Sequence, residues 1–192
     1  LNLPPYLSGE AEPNPGLAGL TGGTTMDQFD PNIPGLIEGN VTSVLVTDPQ
    51  PFIFGTGNKV IDPTRSFDLT IEWELFGQLV PLWLAALAPN WDVSVYAESL
   101  GGGNEVRLGT AIVPKTATLA CTVNQAQPNC TKYTATVTVL PNTLQEHVPG
   151  TDQGGIYKLA VAVFLNSTLV GVPGYDLIGF SEGPIIQAEN PV

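Results

Sequence analysis

The sequence predicts an all-β chain: one antiparallel β-sandwich of about seven to nine strands, preceded by an extended N-terminal arm. Two observations carry the prediction. From residue 41 onward, apolar and polar residues alternate with period two in runs separated by Gly, Pro and Asn. Residues 1–40 behave differently: they hold 6 Pro and 7 Gly, no Lys or Arg, and no clean period. This divides the chain into an arm, 1–40, and a sandwich domain, 41–192.

In the arm, Pro4-Pro5, Pro13-Asn-Pro15, Gly22-Gly23 and Pro31-Asn-Ile-Pro34 break any helix or long ladder. Fully stretched, 40 residues reach up to ~130 Å, more than the width of a small domain. Its scattered apolar residues, Leu1, Leu3, Tyr6, Leu17, Leu20, Met26, Phe29 and Ile33, are candidate anchors on its own domain or on a neighbouring subunit. In the domain, Val41–Thr47 reads as a weak strand. Phe67–Leu75 alternates without a break, with Phe67, Leu69, Ile71, Trp73 and Leu75 on the inner face and Asp68, Thr70, Glu72 and Glu74 on the outer one. Trp91–Glu98 repeats the pattern, and Gly101-Gly-Gly-Asn104 turns it into Glu105–Val113. Ala117–Val123 is a weaker strand. Thr131–Val139 alternates Tyr133, Ala135, Val137 and Val139 with threonines. Ile156–Leu165 is apolar on both faces, as in a central strand. Pro184–Glu189 closes the series. The helical candidate is Pro81–Ala88, at most two turns. It lies in Leu79–Ala88, the most apolar segment, which must be covered by the core or by another subunit.

Asp152-Gln-Gly-Gly-Ile-Tyr157-Lys-Leu159-Ala-Val161 resembles the start of strand F in immunoglobulin-like and fibronectin-type-III-like domains. The resemblance implies an Ig-like sandwich in which Tyr157 closes a corner by bonding upstream backbone. One extra residue separates Asp152 from Tyr157, and Leu159 stands where antibody domains place a Cys, so no inter-sheet disulfide is implied. Trp73 and Trp91 are the candidates for the core Trp. The resemblance spans about ten residues and names an architecture, not a function.

Composition narrows the function. Six basic against 18 acidic residues give a net charge of −12. That argues against nucleic acid, which needs clustered Lys and Arg, and against anionic lipid. Leu75–Trp91, an uncharged stretch as long as any in the chain, is broken by Gly77, Pro81 and Pro89, too short and too broken for a membrane helix. One His and two Cys cannot supply a Cys₂His₂ or Cys₄ zinc site. His147 stands in a loop, and Gly179-Phe-Ser181-Glu-Gly183 is not a nucleophile elbow because no helix is expected to follow it. Glu72 and Glu74 read as a solvent-facing polar row. Asp27-Gln-Phe-Asp30-Pro-Asn32 gathers oxygen ligands but not at EF-hand spacing. No catalytic residue, cofactor or metal site is expected. Trp83 with Tyr96 is the candidate aromatic platform for glycans, Trp73 and Trp91 being inward by alternation.

Cys121 and Cys130 flank eight residues between strand-like segments. A disulfide there is expected, the alternative being two buried thiols. Asn40-Val-Thr42, Asn129-Cys-Thr131 and Asn166-Ser-Thr168 are N-glycosylation sequons. The chain starts at Leu1 and its sole Met is Met26, as after removal of a signal peptide or after artificial trimming. These signs lead to an expectation of a secreted, extracellular, non-enzymatic structural subunit. It assembles with copies of itself into a filament or surface lattice, using Leu1, Leu3, Tyr6, Leu17, Leu20, Phe29, Ile33 and Trp83 as contacts. The alternative is a carbohydrate-binding or adhesin-type module.

Overall fold

The computed structural model describes residues 29–47, 59–146, 150, 154–169 and 175–190. Among them the strands are β1 (Phe29–Asp30), β2 (Glu38–Thr47), β3 (Val60–Ile61), β4 (Phe67–Phe76), β5 (Asn90–Ser99), β6 (Val106–Pro114), β7 (Thr131–Val139), β8 (Ile156–Leu165) and β9 (Leu177–Ala188). One short helix, α1 (Val80–Ala85), links β4 to β5. One sheet has the order β1-β9-β8-β5-β6, with β3 also on β9; the other is β2-β4-β7. Every pairing is antiparallel except β3 on β9, which is parallel. The fold is the expected all-β sandwich.

The alternation makes the core. Phe67, Leu69, Ile71, Trp73 and Leu75 of β4 face Val93, Val95, Leu159, Val161 and Val163 of the other sheet, and all are buried. At the centre, Trp73 stacks on Tyr133 with ring centroids 5.5 Å apart and meets Trp91 edge-on at 5.6 Å. Phe29 meets Trp91 edge-on at 6.0 Å. This cluster joins β4 and β7 of one sheet to β5 and β1 of the other, in the geometry aromatic pairs prefer.

Phe29 corrects the expected domain boundary at residue 41. Only 2% of it is exposed, and Ile37 is buried beside it, so residues 29–40 belong to the sandwich. The reason is a slot left by glycines: a Cβ on Gly179 would lie 2.5 Å from the Phe29 ring, and one on Gly39 2.9 Å from it. Phe29 is therefore a core residue of its own molecule rather than an assembly contact. Residues 1–28, which hold the rest of the arm, lie outside the described residues.

Other elements differ in detail. Ala117–Val123 is not a strand; a single bridge joins Leu119 to Lys132, and the segment folds instead over the end of β4. β9 begins at Leu177 rather than Pro184, because a bulge absorbs Gly183 and Pro184: Lys158 pairs with Ile185 and Ala160 with Glu182. α1 starts at Val80 and tolerates Pro81 because the first helical turn needs no N–H there. The Lys115 ammonium donates to the carbonyls of Leu84 and Leu87, both at 2.6 Å, and so satisfies the helix's C-terminal end.

Tyr157, at the start of β8, does close a corner. Its hydroxyl donates to the Gln145 carbonyl at 2.8 Å and accepts from the Gln145 N–H at 3.2 Å.

Candidate functional site

The sandwich has an open side where the edges of its two sheets meet. β2 is the edge of the smaller sheet. β9 is partnered on its outer side by β1 at Ile178 and Gly179 and by β3 at Gln187 and Ala188. Both strands bulge beside each other: β2 between Val41 and Ser43, β9 at Gly183 and Pro184. Between them lies a groove of about 350 Å³, lined by Val41, Thr42, Ser43 and Val44 on one side and Ser181, Glu182, Gly183 and Pro184 on the other. Glu182 pairs with Lys158, so the groove is polar at its mouth with one matched charge. The backbone of an edge strand such as β2 is a template for another strand.

A second feature lies at the loop end of the sandwich, where β9 starts. Trp83 of α1 stacks on Tyr175, with ring centroids 5.0 Å apart, and its indole N–H donates to the Tyr175 carbonyl at 3.0 Å. Leu79, Leu82 and Trp83 share one helix face by their spacing. Leu82 is 72% exposed and Tyr175 37%. The expected partner of Trp83, Tyr96, is not there: it lies on β5, six residues (about 20 Å) along the strand from Asn90, and pairs with Ala160 of β8 and Arg107 of β6.

The carboxylates are committed to structure. Glu72 pairs with Lys132 at 2.9 Å. Glu74, expected to face solvent, is fully buried because the segment 119–130 covers it. It accepts backbone N–H bonds from Thr122, Val123 and Asn124 at 2.6, 3.1 and 2.7 Å, and a side-chain bond from Asn124 at 2.9 Å. Burial alone pushes its pKa up, but these donors more than offset it and hold the carboxyl below the usual range. The same segment carries the Cys121–Cys130 disulfide, with Cα atoms 6.0 Å apart. Glu74 and both sulfurs come within 4.8 Å of one another, but the sulfurs are bonded to each other and are not thiolate ligands.

The sequons differ in availability. The Asn129 amide donates to the Gly77 carbonyl at 3.2 Å, and the Asn40 carbonyl oxygen accepts from Asn124 at 2.9 Å. Asn166 is exposed next to the Trp83 end. Ile33, exposed, forms a tight bridge with Ile37. Leu1, Leu3, Tyr6, Leu17 and Leu20, together with Asp27 and His147, fall outside the described residues. The groove residues were missed from sequence; the one signal was Gly183-Pro184 inside a run of strand formers. Among the described residues, no helix is long and apolar enough to cross a membrane. The class this geometry defines is a disulfide-bearing β-sandwich with a groove between β2 and β9. No protein-family model, curated protein or solved structure matches the chain.

Proposed function

We propose that this chain is a non-enzymatic, secreted structural subunit of immunoglobulin-like architecture that assembles with copies of itself into an extracellular filament or surface lattice. In this reading the N-terminal arm of one subunit packs on the next. The observation that carries it is the groove between β2, an edge strand of the smaller sheet, and the bulged part of β9. Main-chain bonds along such an edge supply affinity, and the groove selects side chains. A head-to-tail contact that does not close on itself grows into a filament.

Further support comes from elsewhere in the molecule. The disulfide fits an oxidising compartment. The β2-β4-β7 and β9-β8-β5-β6 order, with the Tyr157 corner, supports the immunoglobulin-like reading. Against an enzyme, Glu72 is paired with Lys132 and Glu74 is bound by the backbone of residues 122–124. The test compares the full chain with a chain lacking residues 1–28, by sedimentation and negative-stain microscopy. The cut stops short of Phe29 because that residue is core. Growth of the full chain into polymers, and a monomer on truncation, is the expected result. Identical monomers at high concentration overturn the reading.

A further inference from the structure

We infer that the Trp83–Tyr175 end of the sandwich binds the proline-rich start of a neighbouring copy's arm, Leu1-Asn-Leu-Pro4-Pro5-Tyr6-Leu7. The inference rests on the assembly reading and names the contact at its far end.

The pad is built for an apolar ligand. Trp73 and Trp91 are fully buried in the core, which leaves Trp83 as the half-buried indole. Tyr175 lies against it, and Leu79 and Leu82 extend the same surface. The indole N–H already has its acceptor in the Tyr175 carbonyl. What the pad still offers is ring and aliphatic surface without an unmet polar group. Proline-rich segments suit such surfaces, because they arrive pre-extended and lose little entropy on docking against aromatic rings. Pro4-Pro5 between Leu3 and Tyr6 has that composition.

Direction assigns the neighbour. β1 is antiparallel to β9, pairing Phe29 with Gly179 and Asp30 with Ile178. Its upstream end therefore points along β9 toward Ala188, away from the Trp83–Tyr175 end. The 28 residues before Phe29 span up to about 85 Å at ~3.1 Å per residue. β9, with 12 residues, spans only about 40 Å. A copy stacked beyond that far end in the same orientation presents its own Trp83 pad, within reach of the segment 1–7.

The test uses the chain lacking residues 1–28 and a synthetic peptide of residues 1–15, followed by Trp fluorescence. Saturable binding is expected, weakened at least about tenfold by Leu82→Asp and by Pro4→Ala/Pro5→Ala in the peptide. Leu82 is 72% exposed, so Leu82→Asp leaves the melting temperature unchanged and serves where Trp83→Ala disturbs folding. Binding that survives Leu82→Asp puts the peptide elsewhere, such as the groove, and overturns the inference. So does quenching by oligosaccharides with no response to the peptide, which makes the pad a sugar site. No peptide binding while the full chain still polymerises overturns the pad alone. No binding and no polymer overturns the assembly reading as well.

Discussion

Replacing Glu74 by alanine removes the acceptor around which residues 122–124 fold. Three backbone N–H groups, from Thr122, Val123 and Asn124, lose their partner. A buried donor left unsatisfied costs about 1–3 kcal/mol. Thr122 and Val123 lie in an exposed segment, where water replaces part of the loss. We therefore expect about 3 kcal/mol from Glu74→Ala, and about 1.5 kcal/mol from Glu74→Gln, which keeps one acceptor oxygen and turns the other position into a donor facing Asn124. Urea unfolding at pH 7 reads both. The pH dependence gives a second check. The bonds hold the folded carboxyl below its ordinary range, so the unfolded chain binds its proton first. The charged form's contribution is complete above the unfolded value of ~4.3 and is lost as pH falls through the folded one. The gap between wild type and Glu74→Gln should shrink from about pH 5 toward pH 3. Glu74→Gln within about 0.5 kcal/mol of wild type at pH 7, or a gap that widens in acid, refutes the reasoning.

Three further outcomes follow from the core and its staples. Phe29→Ala should cost about 3–5 kcal/mol in urea unfolding, since it empties the slot between Gly39 and Gly179; a loss under about 1 kcal/mol returns Phe29 to the arm. Tyr157→Phe should cost about 1–1.5 kcal/mol by unbinding Gln145 while leaving the ring packed. Reducing Cys121–Cys130, nine residues apart, should lower stability by about 2–3 kcal/mol without unfolding the sandwich, measured by circular dichroism with and without reductant.

The strands that read most clearly in the sequence were those with one face in the core. β4, β5 and β7 each carry enough alternating residues to declare a face, and the structure buries that face, whereas β8 reads as apolar on both faces and has one face buried and the other half-buried. β1 and β3 were illegible because two-residue strands have no period; Phe29 gains its place from the absence of side chains at Gly39 and Gly179, a fact about space rather than pattern. Glu74 followed the alternation of β4 and still ended buried, because a covalently stapled segment distant in sequence folds over it. Bulges hid the groove. A Gly-Pro pair inside β9 reads as the end of a strand, whereas the chain spends both residues opposite Leu159 and continues. Trp83 was legible as an unusual apolar residue, but its partner Tyr175 was not, since 92 residues separate them.

Amide hydrogen exchange along β9 tests self-assembly through the groove most directly. With the full chain at concentrations where it polymerises, amides of Phe180 to Gly183 should exchange at least about tenfold more slowly than in the chain lacking residues 1–28. Equal exchange in the two, with polymers present, contradicts engagement of that groove.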